Sequence, residues 1–132
     1  MKLDHVGIAV SDIRTALERW SPLLGAPDGP PEDVPGAGVR VVFLSAGSTH
    51  VELVEPAGPD SPVAKFVATR GGGIHHLAFA VPDVDPALRD VAERGGRLLD
   101  QKGRPGARGR RVGFAHPSAF AGVLVEFVEE PR

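Results

Sequence analysis

The sequence predicts an α+β fold built from two tandem βαβββ modules, and three observations carry that prediction. Leu3-Asp4-His5-Val6-Gly7-Ile8-Ala9-Val10, followed by Asp12 and Ala16-Leu17, aligns without gaps on Ile74-His75-His76-Leu77-Ala78-Phe79-Ala80-Val81, followed by Asp83 and Ala87-Leu88, at an offset of 71 residues. Each half then closes on a β-like segment with one glutamate among aliphatics, Val51-Glu52-Leu53-Val54 and Val125-Glu126-Phe127-Val128, at an offset of 74. In both halves a strand pattern leads into a helical one and then into short runs set between turn residues.

The elements follow in order. Residues 3–10 alternate as a strand. Asp12 suits the N-cap of a helix running to about Leu24, with Ile13, Ala16, Leu17, Trp20 and Leu23 or Leu24 on one face. Gly25 stops it, and a Pro/Gly-rich connection runs through Gly36. Strands are expected near 39–45 and 49–54, joined by the hairpin signal Ala46-Gly47-Ser48. Ser61-Pro62 places a cap and a first-turn proline ahead of a short helix to about Arg70. Gly71-Gly72-Gly73 joins the halves. The second half repeats the order, with a strand over 74–81, a helix over about 84–94 stopped by Gly95-Gly96, and strands near 97–100, 111–115 and 122–128. Residues 1–132 thus read as one domain, module one over 1–70 and module two over 74–132.

Composition narrows the chemistry. A formal charge of -2 gives no global reason to expect nucleic acid or a membrane surface. With no cysteine, any metal must be held by nitrogen and oxygen. The first residues lead straight into a strand without a signal-like apolar run, so a cytoplasmic protein is expected. Asn is absent and Gln occurs once, while Arg, Pro and Gly abound; this usage leans towards a thermophile, and a GC-rich genome produces part of the same bias.

Alternation separates the histidines. His5, Gly7 and Ala9 share one face of their strand and His76, Ala78 and Ala80 share one face of the other, opposite Val6, Ile8, Val10 and Leu77, Phe79, Val81. The aliphatic faces suit packing on helices. The other faces carry one histidine and then only small residues, which leaves room for a cavity. His75 falls on the packed side and is not expected to be a ligand. A lone histidine is more often a hydrogen-bonded core residue than a ligand, but here coincidence would have to place His twice and Glu twice at equivalent points. A glutamate inside an aliphatic strand is also costly to bury unless paired or metal-bound. His5, Glu52, His76 and Glu126 are therefore the expected ligands of one divalent metal ion.

The paired modules with this His, Glu, His, Glu order resemble the vicinal oxygen chelate (glyoxalase) superfamily, and within it the methylmalonyl-CoA epimerase family. The resemblance spans nearly the whole chain. It rests on residues 3–10, on Asp60-Ser61-Pro62-Val63-Ala64-Lys65-Phe66, on Gly73-Ile74-His75-His76-Leu77-Ala78-Phe79, and on Arg104-Pro105-Gly106-Ala107 through His116-Pro117 to Gly122-Val123-Leu124-Val125-Glu126. The second and fourth stretches are the specific ones. The resemblance implies a cupped eight-stranded mixed sheet around the metal with helices outside, a homodimer, and interconversion of (2R)- and (2S)-methylmalonyl-CoA through an enolate. It also implies a divalent ion such as cobalt or manganese and no organic cofactor.

Two departures bear on mechanism. Some epimerases are proposed to use a glutamate base where Gly38-Val39-Arg40 is here followed by Val41, and lysine often follows His-Pro where this chain has Ser118. Glu126 matches the other proposed base. Some members have Gln in place of Glu52, so Glu52 and Glu126 are the expected pair of bases. Lys102, Arg104, Arg108, Arg110 and Arg111, interleaved with glycines, form a basic loop suited to CoA phosphates. His50 and His116 suit supporting hydrogen bonds to a site or to the fold. Two rival functions share parts of this pattern, a glyoxalase-type isomerase with the same ligands and a metal-free small-molecule-binding protein, which would normally have lost them.

Overall fold

The structure is a computed structural model that describes residues 1–131. In order it contains β1 (Lys2–Ala9), α1 (Ile13–Leu24), β2 (Glu32–Val34), β3 (Val39–Ala46), β4 (Thr49–Pro56), α2 (Pro62–Arg70), β5 (Gly73–Val81), α3 (Val84–Glu93), β6 (Arg104–Pro105), β7 (Arg111–Ala115) and β8 (Val125–Glu129), an α+β chain as expected. Contacts divide it into two compact units, residues 5–75 and residues 1–4 together with those from His76 onward. Among the described residues no helix is long and apolar enough to cross a membrane.

In the first unit the strands run in the order β2-β3-β4-β1, with β1 and β4 parallel and the other neighbours antiparallel. Asp12 caps α1 by accepting from the Thr15 amide at 2.9 Å and its hydroxyl at 2.7 Å, which together hold the carboxyl below its ordinary pKa. Glu55 accepts from the Ile13 amide at 2.9 Å, satisfying a further free donor of the first turn. The helix then lays Ile13, Ala16, Leu17, Trp20 and Leu24 on Val42, Leu44 and Leu53. Gly25, at φ +95°, donates to Ser21 and ends it.

The second unit repeats this as β5-β8-β7-β6, with β5 and β8 parallel and the remaining neighbours antiparallel. Asp83 caps α3, Glu129 accepts from the Val84 amide at 3.4 Å, and Val84, Leu88 and Val91 pack on Val81, Ala115, Val125 and Phe127. Asp12 with Glu55 and Asp83 with Glu129 thus do the same work on the two helices. Gly113 is where α3 presses closest, since an added Cβ would lie 2.7 Å from Leu88 Cδ1.

Three expectations need correction. Residues 97–100 form no strand; the amides of Leu99 and Asp100 both turn onto the Phe114 carbonyl, and the edge strand is Arg104–Pro105. A short strand, β2, lies inside the Pro/Gly-rich connection, where three residues are too few to show alternation. β8 begins at Val125 rather than 122, because Ala121 at φ +55° and Gly122 at φ +99° make a turn.

Candidate functional site

The parallel pairing in each unit decides which side chains meet. Gly7 lies opposite Glu52, and His5 stands two residues before Gly7 on the same face. Ala78 lies opposite Glu126, and His76 stands two residues before Ala78. The small residue beside each glutamate leaves space for the histidine to lean across. His5 Nε2 is consequently 3.3 Å from Glu52 Oε1, and His76 Nε2 is 3.2 Å from Glu126 Oε1. All four residues are buried, between 3% and 7% exposed.

These pairs pass a chemical test for metal binding. Two donors each about 2.1 Å from one ion lie about 3.0 Å apart at a right angle and about 3.4 Å apart at a tetrahedral one. Both observed separations fall in that interval. Each pair supplies one imidazole nitrogen and one carboxylate oxygen, a donor set suited to divalent transition ions. Two donors make only part of a coordination shell, and each unit holds one such pair.

Behind each histidine stands an aromatic ring that the sequence does not single out. Phe43, opposite Glu52 on β3, meets His5 edge to face with centroids 5.3 Å apart, and Phe114, opposite Glu126 on β7, meets His76 at 5.7 Å. Phe43 and Phe114 are separated by the same offset as His5 and His76, the signal that could have found them. Each ring is backed by a basic side chain and an aspartate. In the first unit Asp28 donates its amide to the Phe43 carbonyl at 2.8 Å, and its carboxylate lies 3.1 Å from His50 Nε2, whose ring is 6.3 Å from that of Phe43. In the second, Asp100 bonds the Phe114 carbonyl at 3.1 Å and its amide at 2.8 Å, and holds Arg104 at 3.0 Å with the guanidinium 5.5 Å from the Phe114 ring centre.

The remaining singled-out residues separate. His75 lies against Phe66, ring centres 5.0 Å apart. Val41 is buried on the face of Phe43 and Glu52, with Glu32 opposite it on β2. His116 Nδ1 is 2.8 Å from the Ser118 hydroxyl and accepts from its amide, closing the turn after β7. In the basic loop, Arg110 donates to Asp4 and to the Glu129 carbonyl, Arg108 to Asp4, and Arg111 to Asp85, Glu129 and Gly103. Asp85 accepts from the Gly103 amide at 2.7 Å, which with Arg111 keeps its carboxyl below the ordinary value, while Asp85 raises Arg111 in turn. Lys102 is exposed.

Comparison with known proteins shows the family. Residues 4–114 match the glyoxalase/bleomycin resistance protein/dioxygenase superfamily. The chain is 42% identical over 128 residues to an ethylmalonyl-CoA/methylmalonyl-CoA epimerase of Cereibacter sphaeroides, covering 95% of each, and 41% identical over 126 residues to the mitochondrial methylmalonyl-CoA epimerase of Bos taurus, covering 95% of this chain and 72% of that one. It superposes with a TM-score of 0.92 and 34% identity on a serine-to-threonine variant of the Streptomyces coelicolor methylmalonyl-CoA epimerase in complex with 2-nitronate-propionyl-CoA, covering 98% of this chain and 94% of that one. The chain belongs to the methylmalonyl-CoA epimerase family of the glyoxalase/bleomycin resistance protein/dioxygenase superfamily.

Proposed function

We propose that this protein is a metal-dependent epimerase that interconverts (2R)- and (2S)-methylmalonyl-CoA. The observation that carries the reading is the duplicated buried His–Glu pair, in a chain whose relatives bear that activity in their names. Each pair is incomplete alone, and His5, Glu52, His76 and Glu126 together would hold one divalent cation, cobalt or manganese, with positions to spare in an octahedral shell. Bound there, the ion supplies Lewis-acid stabilisation of the negative charge that develops on substrate oxygens.

The chain's own residues move the proton. The substrate carbon lies between a thioester and a carboxylate; one carboxylate of the protein takes its proton, the electron pair enters the enolate, and a second carboxyl group, protonated beforehand, gives its proton to the opposite face, so the two exchange protonation states in each turnover. Glu52 and Glu126, related by the duplication, are the two carriers. Each would also hold the ion when it is bound, and a carboxylate so engaged would be a weaker base than a free one. The basic loop that includes Lys102 and the four arginines attracts the CoA phosphates. The assembly is a cytoplasmic homodimer that uses no organic cofactor.

Incubation of the purified, metal-loaded protein with (2S)-methylmalonyl-CoA tests the reading, and formation of the (2R) form is expected. Failure on that substrate together with turnover of a glutathione hemithioacetal would transfer the chain to the glyoxalase-type isomerases.

A further inference from the structure

We propose that Arg104 is the specificity-determining residue of this site, gripping an anionic group of the acyl-CoA through its two terminal nitrogens. The inference rests on the epimerase reading for its substrate and on geometry for the residue. Arg104 is opposite Val112 in the β6–β7 register, Val112 is two residues from Phe114, and Phe114 is opposite Glu126. Residues directly opposite on antiparallel strands, and residues two apart on one strand, share a face. Arg104 therefore stands on the face that carries Glu126 and His76. Its guanidinium is no further from the His76 ring than the sum of the Arg104–Phe114 and Phe114–His76 distances, 5.5 Å and 5.7 Å.

How the guanidinium is held leaves one edge available. Asp100 takes Nε at 3.0 Å and the guanidinium carbon lies over the Phe114 ring, 5.5 Å from its centre, so two neighbours hold the group before any ligand arrives. The terminal nitrogens have no hydrogen-bond partner among the described residues. Two parallel N–H donors on a fixed plane match the oxygens of a carboxylate or a phosphate. The other arginines of the loop differ, for Arg108, Arg110 and Arg111 each have at least one terminal nitrogen engaged, on Asp4, Asp85 or Glu129, and the second terminal nitrogen of Arg110 is buried. A half-buried guanidinium held over a ring on the face of His76 and Glu126 is placed for substrate rather than for the fold.

The test compares wild type, Arg104→Gln and Arg104→Lys on methylmalonyl-CoA and on methylmalonyl-pantetheine, which lacks the nucleotide phosphates. Arg104→Gln should raise KM for the CoA thioester about ten- to hundredfold with kcat largely kept, the range for losing a charged hydrogen-bonding partner. An equal rise with the pantetheine thioester assigns the acyl carboxylate; a rise with the CoA thioester alone assigns the phosphates. Arg104→Lys keeps the charge without the planar fork and should recover part of the affinity, and it carries the test if the glutamine variant fails to fold. Unchanged KM for both thioesters overturns the inference. If wild type turns over neither, the epimerase reading falls, and calorimetric titration with CoA and with methylmalonate decides on Arg104 separately: weaker binding of either by the variant supports the inference, and equal binding of both overturns it.

Discussion

Phe43 and Phe114 meet the imidazoles of His5 and His76 in the same edge-to-face arrangement, with interplanar angles of 86° and 81°. Each ring leaves its histidine little freedom to turn away from its glutamate, so the direction of the nitrogen lone pair is fixed by a neighbour on the next strand but one.

Replacing either ring with leucine should therefore act on metal affinity as well as on stability. Phe43→Leu and Phe114→Leu are each expected to cost roughly 1 kcal/mol through the lost ring contact. Metal affinity should weaken about tenfold, the low end for groups that orient a ligand. Denaturant titration and metal competition measure the two effects separately. Unchanged affinity in both variants would reduce the rings to space filling.

Metal analysis of single variants checks the ligand set. His5→Ala and His76→Ala should each lose tightly held metal, because a divalent ion left with three protein donors exchanges more readily. His75→Ala should keep one ion per chain, its ring being engaged with Phe66. Stoichiometric retention in both of the first two variants would end the four-ligand account.

Glu52→Gln probes the proton carriers. An amide oxygen can still bind the ion but cannot take a proton, so the variant should retain metal, exchange the α-proton of one epimer and fail to epimerise. Metal retention with a normal rate would make Glu52 a ligand only and move attention to Glu32, which stands opposite Val41 on the same face.

Stability should fall at low pH partly through Asp85. Its folded pKa lies below the ordinary 3.8, first through the Gly103 amide and then through Arg111. The contribution is complete above the unfolded value and is lost as pH falls through the lower folded one. Asp85→Asn should accordingly flatten the decline of the denaturation midpoint between about pH 5 and about pH 2. An identical decline in wild type and variant would exclude it.

The internal repeat makes much of the fold and the site legible in the amino-acid sequence. Asp12, Gly25 and Ser61 mark helix ends by local chemistry, and the structure places caps at all three. The buried pairs His5 with Glu52 and His76 with Glu126 are legible because each half repeats the other. The strand expected at 97–100 does not form because its amides bond across the end of β7, a pairing that local sequence does not encode. The division of labour among the arginines is hidden for the same reason: Asp4 and Arg110 are distant in sequence and meet only in the fold. Phe43 and Phe114 are hidden differently, since an aromatic residue in a strand ordinarily reads as core.

The central claim is that the duplicated His–Glu pairs serve α-proton transfer on methylmalonyl-CoA, and hydrogen–deuterium exchange at the α-carbon in D₂O tests it most directly. Metal-loaded protein should replace the α-proton with deuterium in both epimers, while metal-free protein and the His5→Ala and His76→Ala variants should not. Exchange as fast in the metal-free protein as in the loaded one, or no exchange in either, would contradict the account.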